Sequence, residues 1–306
     1  MLCVVAAKQA VDGLKMVKSG FDTTFDLIYD SGNPVDTMVI VPAFKDGFTA
    51  LRANPILLIA GLLVGAGSQL QYVDHFIESP YLSAGVSLAW LIVFPFVIGG
   101  FIGTARAAID GTDASLTHFF TVARTHYLRL LLATVLFVLL VFGTAIGFGL
   151  LGFILGIVSM ALTAIHEMAA FVAGVISVLI WLVSILVVIM FVQFYDTAIV
   201  IENKSVTDAF RRSVGLVRSN LKSVTGFSVA WLVLLNVFFI PEYLLQLTMT
   251  DAGPADVLPI ELGIPVAVLL PIGIALSTVG FAYFYTVYTA YYMRLIAAST
   301  DSQDSV

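Results

Sequence analysis

The chain has 306 residues, of which 60% are hydrophobic and only 11% charged, and its mean hydropathy is +1.03. Soluble domains are about half apolar and about one quarter charged, so this composition excludes a water-soluble globular protein. The net charge of -6 argues against a nucleic-acid partner, and the single cysteine, Cys3, excludes an internal disulfide.

Six apolar runs dominate residues 42–298. Residues 1–41 are mixed in polarity and predict a poorly ordered arm, with a short surface helix around 21–28 as the alternative, and residues 299–306 form a polar tail. The runs are Pro55 to Leu70, Ala84 to Ala105, Leu128 to Ile157, Ala169 to Val192, Ser223 to Leu247 and Val266 to Tyr291. About 20 apolar residues cross a bilayer as a helix, and unpaired backbone groups are prohibitive in lipid. The sequence therefore predicts an all-α bundle of six transmembrane helices embedded in a lipid bilayer.

The Lys and Arg residues that flank the runs lie on one side of the predicted membrane. They are Lys45 and Arg52 before the first run, Arg106, Arg124 and Arg129 between the second and third, Lys204, Arg211, Arg212, Arg218 and Lys222 between the fourth and fifth, and Arg294 after the sixth. The three alternate loops contain no Lys or Arg. Because basic residues in short loops are retained inside the cell, we expect a multi-pass protein of the cell membrane with both termini cytoplasmic.

A similar segment precedes each odd-numbered run, at residues 44–55, 116–127 and 210–221. Each copy has apolar residues at three- and four-residue steps, which predicts an amphipathic helix at the membrane surface. Each then places an arginine two residues before Asn or His, in the pairs Arg52 and Asn54, Arg124 and His126, and Arg218 and Asn220. We expect the arginines to reach lipid phosphates or helix-end carbonyls, and the Asn and His residues to cap the next helix. One surface helix plus two spans, repeated three times, predicts a three-fold pseudosymmetric bundle; the alternative is chance similarity between basic segments.

The stretch from Gln193 to Ser228 carries a recognisable pattern. It has an acidic residue after β-branched residues, an Ala-x-x-x-Ser core and a final Arg-x-Asn, here Glu202, Ala209, Ser213, Arg218 and Asn220. This pattern resembles uncharacterised six-span prokaryotic membrane proteins, especially haloarchaeal ones. Those proteins are related to the membrane domain fused to some glycerophosphodiester phosphodiesterases. The resemblance implies a six-helix fold but no reaction, and no catalytic residue is carried over.

Motifs for catalysis or metal binding are missing from the sequence. His166-Glu167 has no second histidine four residues after the first, so it cannot form a zinc-protease helix. The nucleophile elbow of serine hydrolases and the phosphate-binding loop of nucleotide hydrolases are both absent. We therefore predict no enzymatic activity, no cofactor and no metal site.

Polar residues near or inside the spans are the remaining candidates, because ionisable groups are costly in lipid. Asp196 and Glu202 end the fourth run, and we expect them to pair with an arginine of the following surface helix; the alternative is contact with a substrate. Asn236 and Glu242 in the fifth run predict a polar notch, or else a solvated acid at the interface.

Small and aromatic residues add two structural predictions. Gly143, Gly147, Gly149, Gly152 and Gly156 in the third run favour close contact between helices. Five tyrosines near the end of the sixth run fit an aromatic belt at the membrane interface: Tyr283, Tyr285, Tyr288, Tyr291 and Tyr292.

Two functional hypotheses follow from the sequence. The first is a non-enzymatic protein that organises the membrane or assists another membrane protein. The second is a permease for a small molecule or lipid, with a cavity between the repeats. A continuous cavity lined by Gln193, Asp196, Asn236 and Glu242 would favour the permease, whereas local pairing of these residues would favour the first hypothesis.

Overall fold

The computed structural model describes residues 34–68, 80–163, 167–249 and 266–304. Within these residues every regular element is a helix. The helices are α1 (Pro34–Ala53), α2 (Ile56–Ser68), α3 (Pro80–Ile109), α4 (Leu116–Thr163), α5 (Glu167–Val192), α6 (Tyr195–Ile201), α7 (Val206–Ser219), α8 (Leu221–Met249) and α9 (Val266–Asp304). The predicted all-α fold is confirmed.

Among the described residues, five segments are long and apolar enough to cross a membrane: Ala84–Ile109, Leu116–Ile157, Met168–Ile201, Leu221–Phe238 and Pro271–Ser299. A sixth span is reached if α1 and α2 count as one element, which is bent by 98° at its break. The break follows from Pro55, because a proline disfavours the helical conformation of the residue before it, here Asn54. The structure thus has five to six candidate spans, and the sixth depends on α2, which has 13 residues.

Three helix boundaries differ from those predicted. α1 begins at Pro34, inside the segment predicted to be a poorly ordered arm; residues 1–33 lie outside the described residues. α9 continues to Asp304, so most of the predicted polar tail is helical. α4 is one helix of 48 residues, so the second surface segment and the third span are continuous. Residues 124–128 contain no Gly or Pro that could interrupt a helix there.

The packed core lies at the end of the bundle that carries the arginines, which we call the basic end. Tyr291, Tyr292 and Phe194 are fully buried there, and the rings of Phe227 and Tyr291 stack with centroids 3.9 Å apart. Tyr288 stacks on Phe194 at 5.5 Å. The predicted aromatic belt is therefore wrong for these three tyrosines, because α9 runs through the centre of the helix packing instead of facing lipid.

The α4–α5 hairpin extends away from this core and exposes large apolar side chains on both helices. A helix that is apolar all round suits lipid contact. Among the described residues, an added Cβ at Gly143, Gly147, Gly152 or Gly156 would have no neighbour within 4 Å, so this part of the chain supplies no helix for the predicted contacts at these glycines. Glycines with close neighbours are found in other helices, such as α2, where a Cβ on Gly61 would lie 2.7 Å from the carbonyl oxygen of Thr278 in α9.

Candidate functional site at the basic end

The three surface segments pack on protein, each against the end of an even-numbered span. α1 packs on α9, where a Cβ on Gly47 would lie 2.5 Å from Cγ2 of Val287. The start of α4 packs on α3, where a Cβ on Gly100 would lie 2.7 Å from the Phe119 ring. α7 packs on α6 and α5. Phe44 and Phe119 on these segments are buried in the protein core, whereas Phe48 and Phe120 are exposed, so contact of the segments with the membrane surface stays a prediction.

Ser213 of α7 joins this helix to a break in the fourth span. α5 ends at Val192 and α6 begins at Tyr195, so two residues interrupt the helix. The Ser213 hydroxyl accepts a hydrogen bond from the Phe194 N–H at 3.1 Å and donates to the Phe191 carbonyl at 2.9 Å. Because Ser213 is fully buried, these bonds satisfy backbone groups that no water reaches. The break is thus a fixed part of the fold.

The turn from α6 to α7 has its own local determinants. Asn203 adopts φ 55°, in the left-handed region that Asn tolerates better than most residues. The Ser205 hydroxyl accepts from the Asp208 N–H at 3.3 Å, so it caps the first turn of α7. Two arginines of other helices donate to carbonyls of the turn, Arg106 to Ile201 at 3.1 Å and Arg129 to Asn203 at 3.2 Å. α3 and α4 therefore hold this turn in place.

A buried Thr-Ala pair ends each even-numbered span, a feature the sequence analysis missed. The pairs are Thr104–Ala105, Thr197–Ala198 and Thr289–Ala290, and in each the threonine is fully buried. Each threonine hydroxyl donates to a carbonyl three or four residues earlier, at 2.7 to 3.0 Å. The recurrence of Thr-Ala near the end of the second and sixth runs and just after the fourth is the sequence signal that would have found them. The three-fold repeat itself stays a prediction.

The two repeat asparagines close the helices that precede them. The Asn54 side-chain amide donates to the Ala50 carbonyl at 3.0 Å, and that of Asn220 donates to the Leu216 carbonyl at 3.1 Å. His126 lies inside α4, and its buried Nδ1 has no hydrogen-bond partner among the described residues. The prediction that these three residues cap the following helix is wrong, because the amides reach back to orphan carbonyls and the second copy has no helix end.

Glu202 is the centre of an ion-pair network between α7 and α9. Its Oε1 accepts from Arg212 Nε at 3.0 Å and from the Tyr292 hydroxyl at 2.5 Å, and Lys204 Nζ lies 3.7 Å from Oε2. The Glu202 side chain is 17% exposed and that of Arg212 is 32% exposed. Of the three arginines expected as partners, the structure places Arg212 against Glu202.

Asp196 is buried in α6, with 6% of its surface exposed. Its Oδ1 accepts from the Tyr288 hydroxyl at 2.7 Å and from the Thr197 N–H at 2.7 Å. The Tyr288 oxygen also lies within hydrogen-bonding distance of the Gln193 carbonyl, so its single hydroxyl proton is shared between the two acceptors. None of the ion pairs between described residues involves Asp196, so the predicted arginine partner is absent from this part of the chain.

The eight arginines of the chain divide into two groups. Five contact protein: Arg106 and Arg129 at the α6–α7 turn, Arg211 with Asp208, Arg212 with Glu202, and Arg294 with Asp46 at 2.6 Å. The other three are the repeat residues Arg52, Arg124 and Arg218, which are exposed. No hydrogen bond or ion pair joins these three to another residue that the structure describes.

The remaining polar candidates do not meet in one place. Gln193 donates to the Ser228 hydroxyl at 3.1 Å, between the fourth and fifth spans. Asn236 is exposed on α8, and its amide donates to the Leu232 carbonyl at 2.8 Å. Glu242 belongs to α8, but its side chain lies outside the described part of the structure. The predicted notch at Asn236 and Glu242 stays a prediction.

The fold and this site define a helical membrane-protein class with five to six candidate spans and a packed basic end. Comparison by sequence family then places the chain: it belongs to the family described as Domain of unknown function (DUF7847), which matches residues 38–295. No curated protein and no solved structure matches the chain.

Proposed function

We propose that this chain is a non-enzymatic integral membrane protein that organises the surrounding membrane by holding anionic lipid headgroups at its basic end. The observation that carries the proposal is the division of the arginines. The repeat residues Arg52, Arg124 and Arg218 are exposed and unpaired within the described residues, while the other five contact protein. A planar guanidinium binds a phosphate through two parallel hydrogen bonds, which makes a lipid phosphate the fitting partner.

The surroundings of Arg52 suit a lipid headgroup. A shallow hollow of about 390 Å³ is lined by Phe48, Thr49, Arg52 and Ala53 at the elbow between α1 and α2. Phe48 is half exposed, so an apolar ring lies beside the guanidinium. A lipid is complementary to this arrangement, because its anionic phosphate adjoins apolar chains. The basic end would face the cytoplasm, where anionic lipids attract Lys and Arg residues.

Local pairing of the polar residues favours an organising function over transport. Gln193 pairs with Ser228, Asp196 with Tyr288 and Glu202 with Arg212, and Asn236 bonds within its own helix. The resemblance to the membrane domain of glycerophosphodiester phosphodiesterases stays a prediction. We also propose that the exposed α4–α5 hairpin contacts a partner membrane protein.

The test counts the lipids that remain bound to the purified protein. The protein is extracted from membranes that mix phosphatidylcholine with phosphatidylglycerol, and native mass spectrometry counts the retained phosphatidylglycerol. We expect the triple variant R52Q/R124Q/R218Q to lose affinity for this lipid by about one hundredfold, since each direct guanidinium–phosphate contact contributes about 1 kcal/mol.

A matched control removes the same charge from the same end. Lys45, Arg211 and Lys222 are also exposed, so the variant K45Q/R211Q/K222Q carries an equal change in net charge. We expect this control to retain most of the bound phosphatidylglycerol. Equal losses in the two variants would mean that binding follows net charge alone and would refute sites at the repeat arginines.

The permease is the second candidate, and one observation favours it. The fourth span is interrupted at residues 193–194, and interrupted helices form substrate and ion sites in many transporters. In a Cys3→Ser background, a cysteine at Ser228 reports on alternating access. Reaction with impermeant maleimides from both sides of the membrane would support the permease, and protection from both sides would support the organising function.

A further inference from the structure

A small cavity lies inside the bundle beside Asp196, away from the repeat arginines. Its volume is about 20 Å³, and it is bounded by residues of α3, α4, α6 and α9. The polar lining residues are Thr134, Tyr195, Asp196 and Tyr285, and the Thr134 and Tyr195 hydroxyls are 3.4 Å apart. A cavity of roughly 10–15 Å³ holds one water-sized sphere, so this cavity has room for a single small occupant.

The charge of Asp196 requires compensation at this position. A carboxylate taken out of water costs several kcal/mol unless an opposite charge is nearby. Its described partners, the Tyr288 hydroxyl and the Thr197 N–H, are both neutral donors on Oδ1. None of the described ion pairs supplies a Lys or Arg. The cavity that Asp196 lines is therefore the place where a compensating cation fits.

The lining chemistry selects the kind of cation. Its polar groups are a carboxylate and hydroxyls, which are oxygen ligands of the kind that hard cations prefer. One carboxylate matches a single positive charge. A divalent ion is disfavoured, since the described residues contain no group of three or more His, Cys, Asp or Glu side chains that could hold a metal.

We propose that the cavity between Thr134, Tyr195 and Asp196 binds one monovalent alkali-metal cation, with the Asp196 carboxylate as the charged ligand. The cation links α6 to α4, beside the break in the fourth span. It therefore stabilises the folded bundle, and this role is independent of the lipid contacts proposed for the repeat arginines.

The test measures the thermal unfolding midpoint of the full chain in phosphatidylcholine nanodiscs. Sodium chloride and potassium chloride are each compared with N-methylglucamine chloride at equal ionic strength and constant pH. We expect sodium or potassium to raise the midpoint of the wild type in a saturable way. The variant Asp196→Asn, which keeps the shape and removes the charge, should lose this dependence.

Two further variants keep the test decisive if Asp196→Asn fails to fold. Thr134→Val removes one proposed ligand, and the cation concentration that gives half of the shift should rise about fivefold. Thr144→Val is the matched control, because the Thr144 hydroxyl donates to Leu140 within the same helix, away from the cavity. The control should respond to cations as the wild type does.

Several outcomes would overturn the proposal. A wild-type midpoint that is equal in all three salts would exclude the site. A midpoint that changes only with pH would assign the compensating charge to a proton. Equal cation dependence in wild type and Asp196→Asn would place the effect elsewhere in the chain.

Discussion

The Glu202–Arg212 pair should stabilise the folded chain far more than the neighbouring Asp208–Arg211 pair. The first joins α7 to the end of α6 at 3.0 Å, with side chains 17% and 32% exposed. The second spans 4.0 Å within α7, with the Asp208 side chain 58% exposed and that of Arg211 78% exposed. Charge-assisted hydrogen bonds shielded from water contribute about 1.5–3 kcal/mol, whereas exposed ion pairs contribute about 0.2–1 kcal/mol.

A double-mutant cycle measures this difference. The variants Glu202→Gln, Arg212→Gln and the double variant are unfolded reversibly in mixed micelles, and the free energies of unfolding give the coupling energy. We expect about 2 kcal/mol for this pair, since glutamine keeps the shape and can still accept from Tyr292. The same cycle on Asp208 and Arg211 should give less than about 0.5 kcal/mol.

The difference between the two coupling energies tests whether burial strengthens the Glu202–Arg212 pair. Both pairs involve α7, and each double variant removes one positive and one negative charge. The two cycles therefore leave the net charge of the chain equally unchanged. Equal coupling energies would mean that burial and the contact with Tyr292 do not strengthen the Glu202 pair. In that case the Glu202 network would contribute little to the packing of α7 against the bundle.

Two more predictions concern helix contacts and helix ends. Gly65→Ala should lower the free energy of unfolding by about 1–3 kcal/mol, because the new Cβ would lie 2.5 Å from the Thr278 hydroxyl. Gly147→Ala is the control and should be neutral or stabilising, because no described residue lies within 4 Å of the new Cβ. Equal effects in thermal unfolding would contradict the assigned contact. Asn220→Ala should cost about 1 kcal/mol through loss of its bond to the α7 terminus, and His126→Ala should cost less. A larger loss for His126→Ala in chemical unfolding would show that the second copy has a capping role after all.

The sequence by itself determined the fold class and most helix positions. Apolar runs of span length can only be helices in lipid, so the composition was enough to predict an all-α bundle. The arginine that stands two residues before Asn or His in each copy likewise identified three exposed positions that the structure leaves unpaired within its described residues. These signals are local, and they depend on few contacts distant in the chain.

Helix ends and helix contacts were harder to predict, because similar local sequences were used differently. Asn54 and Asn220 each close a helix, yet His126 at the matching position lies inside one, and a following proline accounts only for the break at Asn54. Glycines in α4 and α2 have the same composition signal, but Gly61 and Gly65 of α2 lie against α9, whereas most glycines of α4 have no neighbour among the described residues. The sequence alone does not show which helix faces come into contact.

Only the tertiary structure brought the candidate site together. Glu202 and Tyr292 are 90 residues apart in the chain, and Asp196 and Tyr288 are separated by 92. Charge alone suggested an arginine for both acids, but Asp196 faces the aromatic core while Glu202 lies at the edge where Arg212 reaches it. The sequence set which residues are polar, and packing around α9 decided which of them are buried, paired or exposed, because burial is a property of the whole bundle.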